Sequence, residues 1–316
     1  MKFKIKNHHF FYASLALFVL FIIVKINFNY FYGCKGKFVF DSVRDRDGIY
    51  VYENGNIRFI TNKASFPKWS PDGTKILALN YNGIVVINAM TKKIDREIVF
   101  PQGQIIEIAW LNDGQSIIYA LKVRKNDLFD FFIVKQNLLN NRKEILYKFL
   151  FKKIDFSVSN FVFSPNDQFI AFFAGSNSMN SYMYFLDIQF GVIKYLWQAA
   201  YPIGWLPNNK DLVFFATKDR LGNTIEEALG RISKIDVLTG STTTIDPFSF
   251  IDSQKIRMTK DAKYLYYSKR SSENGFEIVY SKFGQGKISS ETRVTKLEFI
   301  NNAKGYSKDL EPDWYL

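Results

Sequence analysis

The sequence predicts an all-β fold: a six-bladed β-propeller whose last blade is closed by amino-terminal strands, preceded by one membrane-anchor helix. Three observations predict it. A turn signature recurs along the chain, four short strands fit each interval between its copies, and the two ends of the array are incomplete in complementary ways.

The signature is clearest at Trp69-Ser70-Pro71-Asp72-Gly73. It returns as Trp110-Leu111-Asn112-Asp113-Gly114, Phe163-Ser164-Pro165-Asn166-Asp167 and Trp205-Leu206-Pro207-Asn208-Asn209. A weaker copy is Met258-Thr259-Lys260-Asp261-Ala262, and Pro312 and Trp314 match Pro67 and Trp69. The anchors lie 41, 53, 42, 53 and 56 residues apart, the period of a unit of four short strands.

Each unit reads alike. A first strand ends at the aromatic, and Pro, Asn, Asp and Gly reverse the chain. A second strand follows, as in KILALN, SIIYAL, QFIAFFA, DLVFFAT and KYLYYSK. A third comes after a variable link, as in GIVVIN, DFFIV, YMYFLDI, RISKIDV and FEIVYSK, and a more polar fourth closes the unit. Composition agrees: 32 phenylalanines, 18 tyrosines and many isoleucines suit pleated, buried surfaces. At the amino end, KFVFDS, GIYVYE and IRFIT supply strands two to four without a first. At the carboxyl end, DLEPDWYL supplies a first strand without the rest. Joining them completes a sixth blade and removes the open sheet edges.

Residues 1–9 form a basic head and 10–32 an apolar segment with aromatic flanks. The apolar run, extended by Ile26, Phe28 and the tyrosines, with Lys25 snorkelling, predicts a membrane anchor. A cleaved signal peptide is the competing reading, but no A-x-A-like site follows the run. Cys34 after Tyr32-Gly33 is a poor lipoprotein box, spoiled by Lys25 and the bulky Phe31-Tyr32. The basic head places the amino end in the cytoplasm and the propeller, residues 36–316, on the extracytoplasmic side, a bacterial periplasm. The net charge of +12 falls partly on this head, since residues 1–35 hold five lysines and no acid. The milder remainder and the strand spacing of the aromatics argue against a nucleic-acid surface.

Chemistry is scarce in the pattern. The two histidines, His8 and His9, precede the propeller, which excludes a Ser-His-Asp triad and a His-based metal site within it. Asp45 and Asp47 read as turn residues before they read as a cation site or a glycosidase pair, and Glu226-Glu227 as a solvated turn. No catalytic residue, cofactor site or metal site is expected.

The Pro67–Ile76 segment and SVRDRDGIYVY at Ser42–Tyr52 resemble the repeat of the TolB-type β-propeller family, over about residues 36–316. The resemblance implies a protein-binding role in the periplasm. The resemblance is partial, because the family's namesake has a separate α/β domain before its propeller and none is expected in residues 1–35. Similar propellers occur in prolyl-oligopeptidase-like enzymes, whose hydrolase domain this chain lacks after its last blade, and in oligogalacturonate lyases. The expected function is a non-catalytic protein-interaction module. The alternative is a polysaccharide-binding protein or a carboxylate-dependent carbohydrate-active enzyme. Strand order places the links between second and third strands on one rim, where basic residues recur: Arg44, Arg46, Lys122, Arg124, Lys218, Arg220, Lys269 and Arg270. They are the candidate contacts for a protein partner or an anionic glycan, on the rim opposite the recurring turns.

Overall fold

The computed structural model describes residues 37–43, 47–53, 56–101, 103–126, 128–149, 156–175, 181–216, 229–249, 256–270, 276–284, 287–288, 292–293 and 313–315. Among these residues there is no helix, so none that could cross a membrane; the expected head and anchor lie outside them.

The strands form six antiparallel sheets arranged as the blades of a propeller. Blade 1 holds β1 (Lys37–Val43), β2 (Asp47–Glu53) and β3 (Asn56–Thr61). Blade 2 runs through β4 (Ser65–Trp69), β5 (Lys75–Asn80), β6 (Gly83–Asn88) and β7 (Ile94–Val99). Blade 3 has β8 (Gly103–Trp110), β9 (Ser116–Lys125), β10 (Leu128–Asn137) and β11 (Lys143–Phe149). Blade 4 has β12 (Ser157–Phe163), β13 (Phe169–Gly175), β14 (Ser181–Asp187) and β15 (Val192–Gln198). Blade 5 has β16 (Ala200–Trp205), β17 (Asp211–Ala216), β18 (Leu229–Asp236) and β19 (Thr242–Ser249). Blade 6 has β20 (Arg257–Met258), β21 (Tyr264–Arg270) and β22 (Phe276–Gly284), whose outer edge takes two short pieces, β23 (Lys287–Ile288) and β24 (Thr292–Arg293).

The closure follows the complementary ends. The last strand, β25 (Asp313–Tyr315), joins blade 1 as its inner strand, with Lys37 opposite Tyr315 and Val39 opposite Asp313. An ion pair between Lys37 and Glu53 at 2.9 Å ties the start of β1 to the end of β2.

Six hydrophobic clusters occupy the six blade-to-blade interfaces, and this explains the strand composition. A blade strand buries both faces, one against each neighbour, so it reads as a continuous apolar run. In β1, Phe38 and Phe40 face blade 6 and Tyr266, while Val39 faces blade 2 and Ile76. β13 and β17 are buried at every position. The inner strands β4, β8, β12 and β16 each carry a register shift against the second strand, which bends and twists the blade.

Candidate functional site

The recurring turn lies where the inner strand hands over to the second. In blade 2 the Ser70 hydroxyl donates to Asp72 Oδ1 at 2.6 Å and accepts the Lys75 N–H at 2.9 Å. The hydroxyl holds the Asp72 carboxyl below the ordinary carboxylate range against a smaller effect of burial, with lesser help from the N–H of Thr74. Blade 4 repeats this with Ser164 and Asn166, and blade 6 with Thr259 and Asp261. In blades 3 and 5 Leu111 and Leu206 replace the hydroxyl. There Asp113 accepts from the N–H groups of Gln115 and Ser116, and Asn208 from those of Lys210 and Asp211. The residue that closes the turn takes a left-handed backbone: Gly73, Gly114, Asp167, Asn209 and Ala262.

The turns of blades 3, 4 and 5 are joined into a partial collar. Asn112 gives its N–H to Asp167 Oδ2 at 2.7 Å and its amide to Asp167 Oδ1 at 2.8 Å; the Asn166 N–H goes to Asn209 Oδ1 at 3.0 Å. Burial pushes the Asp167 carboxyl up, more than these hydrogen bonds pull it down.

The collar borders a cavity of about 660 Å³ at the mouth of the central channel. Trp69, Trp110, Phe163, Trp205 and Met258, five of the six anchors of the repeat, line it. Lys68, Arg257 and Lys260 bring positive charge, and Asp261 is the one carboxylate among the described lining residues. That carboxylate is engaged by Thr259 Oγ1, the Lys263 N–H at 3.1 Å and Lys263 Nζ at 3.1 Å. Burial pushes it up, yet these contacts outweigh burial and leave it below its ordinary value. Trp205 Nε1 donates to the Val162 carbonyl at 3.0 Å. Trp110, only 7% exposed, has a buried Nε1 with no hydrogen-bond partner among the described residues.

Beneath the mouth a polar bridge crosses the axis. Arg257 of blade 6 donates to Asn160 Oδ1 of blade 4 at 2.7 Å, over the intervening blade 5. The Asn160 N–H, exposed to this partner by a left-handed backbone at the β12 bulge, donates to Glu107 Oε2 of blade 3 at 3.0 Å. The bridge lies three residues before Phe163 and Trp110 on strands that run towards the mouth.

Of the basic residues singled out from sequence, the described ones are not among those that line the cavity. Lys122 and Arg124 sit within β9 and not in a link, because β9 and β10 stay paired as far as Lys125 and Leu128. Lys122 Nζ lies over the rings of Phe129 at 4.2 Å and Phe131 at 5.5 Å. Arg124 Nε donates to the Asn126 carbonyl at the hairpin tip. Lys269 and Arg270 end β21, their backbones opposite Glu277 and Phe276, and their side chains are outside the description. Arg44, Arg46, Lys218, Arg220, Asp45, Glu226, Glu227, Cys34 and both histidines also lie outside the described residues. Asp47 opens β2 opposite Val43. No group of His, Cys, Asp and Glu among the described residues could hold a metal ion.

With this geometry in hand the chain was compared with known proteins. No protein-family model and no curated protein matches it. Solved structures do. TolB from Acinetobacter baumannii superposes with a TM-score of 0.61 at 13% identity, covering 88% of this chain and 66% of that one. The chain has the fold of a TolB-like propeller. The putative TolB from Agrobacterium tumefaciens matches with a TM-score of 0.57 at 13% identity, over 83% of this chain and 88% of that one. An oligogalacturonate lyase in complex with manganese matches at 0.57 and 10% identity, over 84% and 76%. These likenesses establish the TolB-like fold and leave the chemistry to the residues of the mouth. The chain spans just under two thirds of the Acinetobacter protein. The TolB-like repeat anchors, which from sequence point away from the candidate rim, surround the cavity.

Proposed function

We propose that the chain is a membrane-anchored, extracytoplasmic TolB-like propeller that serves as a non-catalytic protein-interaction module. It takes an acidic, extended segment of its partner in the mouth of the channel. The observation that carries this reading is the cavity, walled by aromatic anchors and lined by three cations and one carboxylate among the described residues. Aromatic walls supply contact area at low entropic cost, and cations select an acidic guest. A glycosidase-type site needs two carboxylates facing one space, and the described lining offers one. The basic rim is the weaker candidate, because Lys122 already lies on the rings of its own hairpin.

In-cell photocrosslinking tests the reading. A photoreactive residue at position 260, in the mouth, should capture a discrete protein, and Lys68→Glu in the same chain should abolish the capture. Capture confined to a probe at Tyr81, on the opposite rim, would sink the mouth as the site. Depolymerisation of an anionic polysaccharide by the purified chain would instead carry the carbohydrate-active alternative.

A further inference from the structure

The turns between third and fourth strands share the rim of the recurring turns, further from the axis. Four of them are built alike. Asn88 Oδ1 accepts the N–H groups of Met90 and Thr91, and Asn137 Oδ1 those of Leu139 and Asn140. Asp187 Oδ1 serves Gln189 and Phe190, and Asp236 Oδ1 serves Leu238 and Thr239. Each turn ends in a left-handed residue: Lys92, Asn141, Gly191 and Gly240.

The second residue of each turn, Ala89, Leu138, Ile188 or Val237, is buried. Beyond it each turn thrusts an apolar side chain into solvent: Met90 is 85% exposed, Leu139 71%, Phe190 68% and Leu238 67%. The turn itself asks nothing apolar there, since Gln189 fills the same position in blade 4. Ile94, Ile145 and Val192, near the starts of the outer strands behind them, are exposed as well. One rim of four consecutive blades therefore carries most of the exposed large apolar side chains among the described residues.

Two further facts say what covers this rim. The first is where the chain enters. Lys37 begins β1 opposite Tyr315 and Glu53, at the end of the blade that bears the recurring turns. The 36 residues before it, with the apolar run at 10–32, are thus joined to this same face. The second is charge. Exposed Lys92, Lys93 and Arg142 flank Met90 and Leu139 and outnumber the exposed Asp95 and Glu144 beside Ile94 and Ile145, while Asp236 is paired with Lys210.

We propose that this face lies on a phospholipid surface. Met90, Leu139, Phe190 and Leu238 enter the interface and Lys92, Lys93 and Arg142 meet anionic headgroups. The proposal rests on the anchor reading for residues 10–32, which brings the face to the bilayer. The apolar tips stand at the periphery, so this contact leaves the mouth at the centre of the face for a partner segment that is itself held at the membrane.

The test uses the full chain with Cys34→Ser and a single cysteine at Met90, Leu139 or Leu238, or at Tyr81 as the opposite-rim control. Each is labelled with an environment-sensitive fluorophore and reconstituted in vesicles of phosphatidylcholine, with and without phosphatidylglycerol. The three turn labels should shift to the blue and be quenched by a quencher carried on the lipid, and the Tyr81 label should do neither. Changing Lys92, Lys93 and Arg142 to Gln should weaken docking on the anionic vesicles by about fivefold for each charge removed. All these side chains are exposed, so the variants keep the parent melting temperature. Turn labels that stay in water on a chain resisting alkaline extraction overturn the docking and leave the anchor standing. Labels shielded only after cell extract is added also overturn it, in favour of a protein cover. Alkaline extraction that strips the chain refutes the anchor whatever the labels report.

Discussion

Replacing Gly83 by alanine should destabilise the propeller far more than the same change at Gly114, and the structure sets the scale. Gly83 opens β6 with φ of 152°, and a Cβ there would overlap the carbonyl oxygen of Ile98 and meet the Phe100 ring at 2.8 Å. The oxygen belongs to the main chain of β7, so relief requires the outer strand to move away from the third. A strained backbone costs about 1–3 kcal/mol and forced overlap about as much again, giving ~3–5 kcal/mol. Gly114 also has a positive φ, 64°, but a Cβ there meets nothing within 4 Å. Its cost is the left-handed penalty of roughly 1–2 kcal/mol, less a fraction returned by a stiffer unfolded chain. The repeat contains this exchange already, since Ala262 holds the equivalent position with φ of 55°. At about 2 °C per kcal/mol for a domain of this size, G83A should melt ~6–10 °C below the parent and G114A ~2 °C below. Thermal melts followed by tryptophan fluorescence read both. Equal shifts for the two variants would refute the reasoning, because they would mean that the contact with β7 contributes nothing beyond the backbone angle.

Two contrasts follow from the mouth and the collar. Both Trp→Phe changes lose the same packing volume, but Trp205→Phe also removes the donor to the Val162 carbonyl, whereas Trp110→Phe removes a buried N–H with no partner among the described residues, so Trp205→Phe should cost about 1–2 kcal/mol more; urea midpoints in the opposite order would contradict this. Asp167 has a folded-state pKa raised by burial, so protonation favours the fold: its contribution to stability improves as pH falls through the raised value towards the unfolded value near 4 and is lost above it. Asp167→Asn should therefore flatten that part of the stability profile, while costing ~1 kcal/mol at neutral pH because its NH2 faces an Asn112 donor; a parent-minus-variant difference that does not change with pH would rule it out.

What the sequence made legible was whatever a blade must repeat. The anchor aromatics, the Pro-Asp-Gly turns and the doubly buried strands are imposed by local backbone angles and by packing against two neighbours, and each leaves a residue-level mark. The missing strand at each end was legible for the same reason. What stayed hidden depends on how far pairing runs and on which residues meet around the axis. Lys122 and Arg124 read as link residues because nothing local shows that β9 stays paired with β10 as far as Lys125. The bulge at Asn160 leaves no sequence signal either, because an asparagine can adopt a left-handed backbone almost anywhere, and only the fold brings Arg257 to it across blade 5. The exposed turn ring did carry a signal. An Asn or Asp followed by a buried apolar residue and, four positions on, by a left-handed one recurs at Asn88, Asn137, Asp187 and Asp236. Its solvent-facing apolar side chains look like core until the blades are assembled.

The collar, the cavity and the apolar ring share one face because of strand order alone. In a four-stranded antiparallel blade, the link between first and second strands and the link between third and fourth must fall at the same end. A hydroxyl-aspartate turn near the axis can then be stiff while the turn outside it varies, since the collar is held by its own contacts, Asn112 to Asp167 and Asn166 to Asn209. Within the outer zone, Arg96 reaches from β7 to the Leu138 carbonyl and to Asn141 Oδ1 at 3.0 Å, tying the turn that bears Leu139 to the neighbouring blade. A face built this way is rigid at its centre and apolar at its edge. It can rest on one surface through the edge while the centre receives a separate ligand.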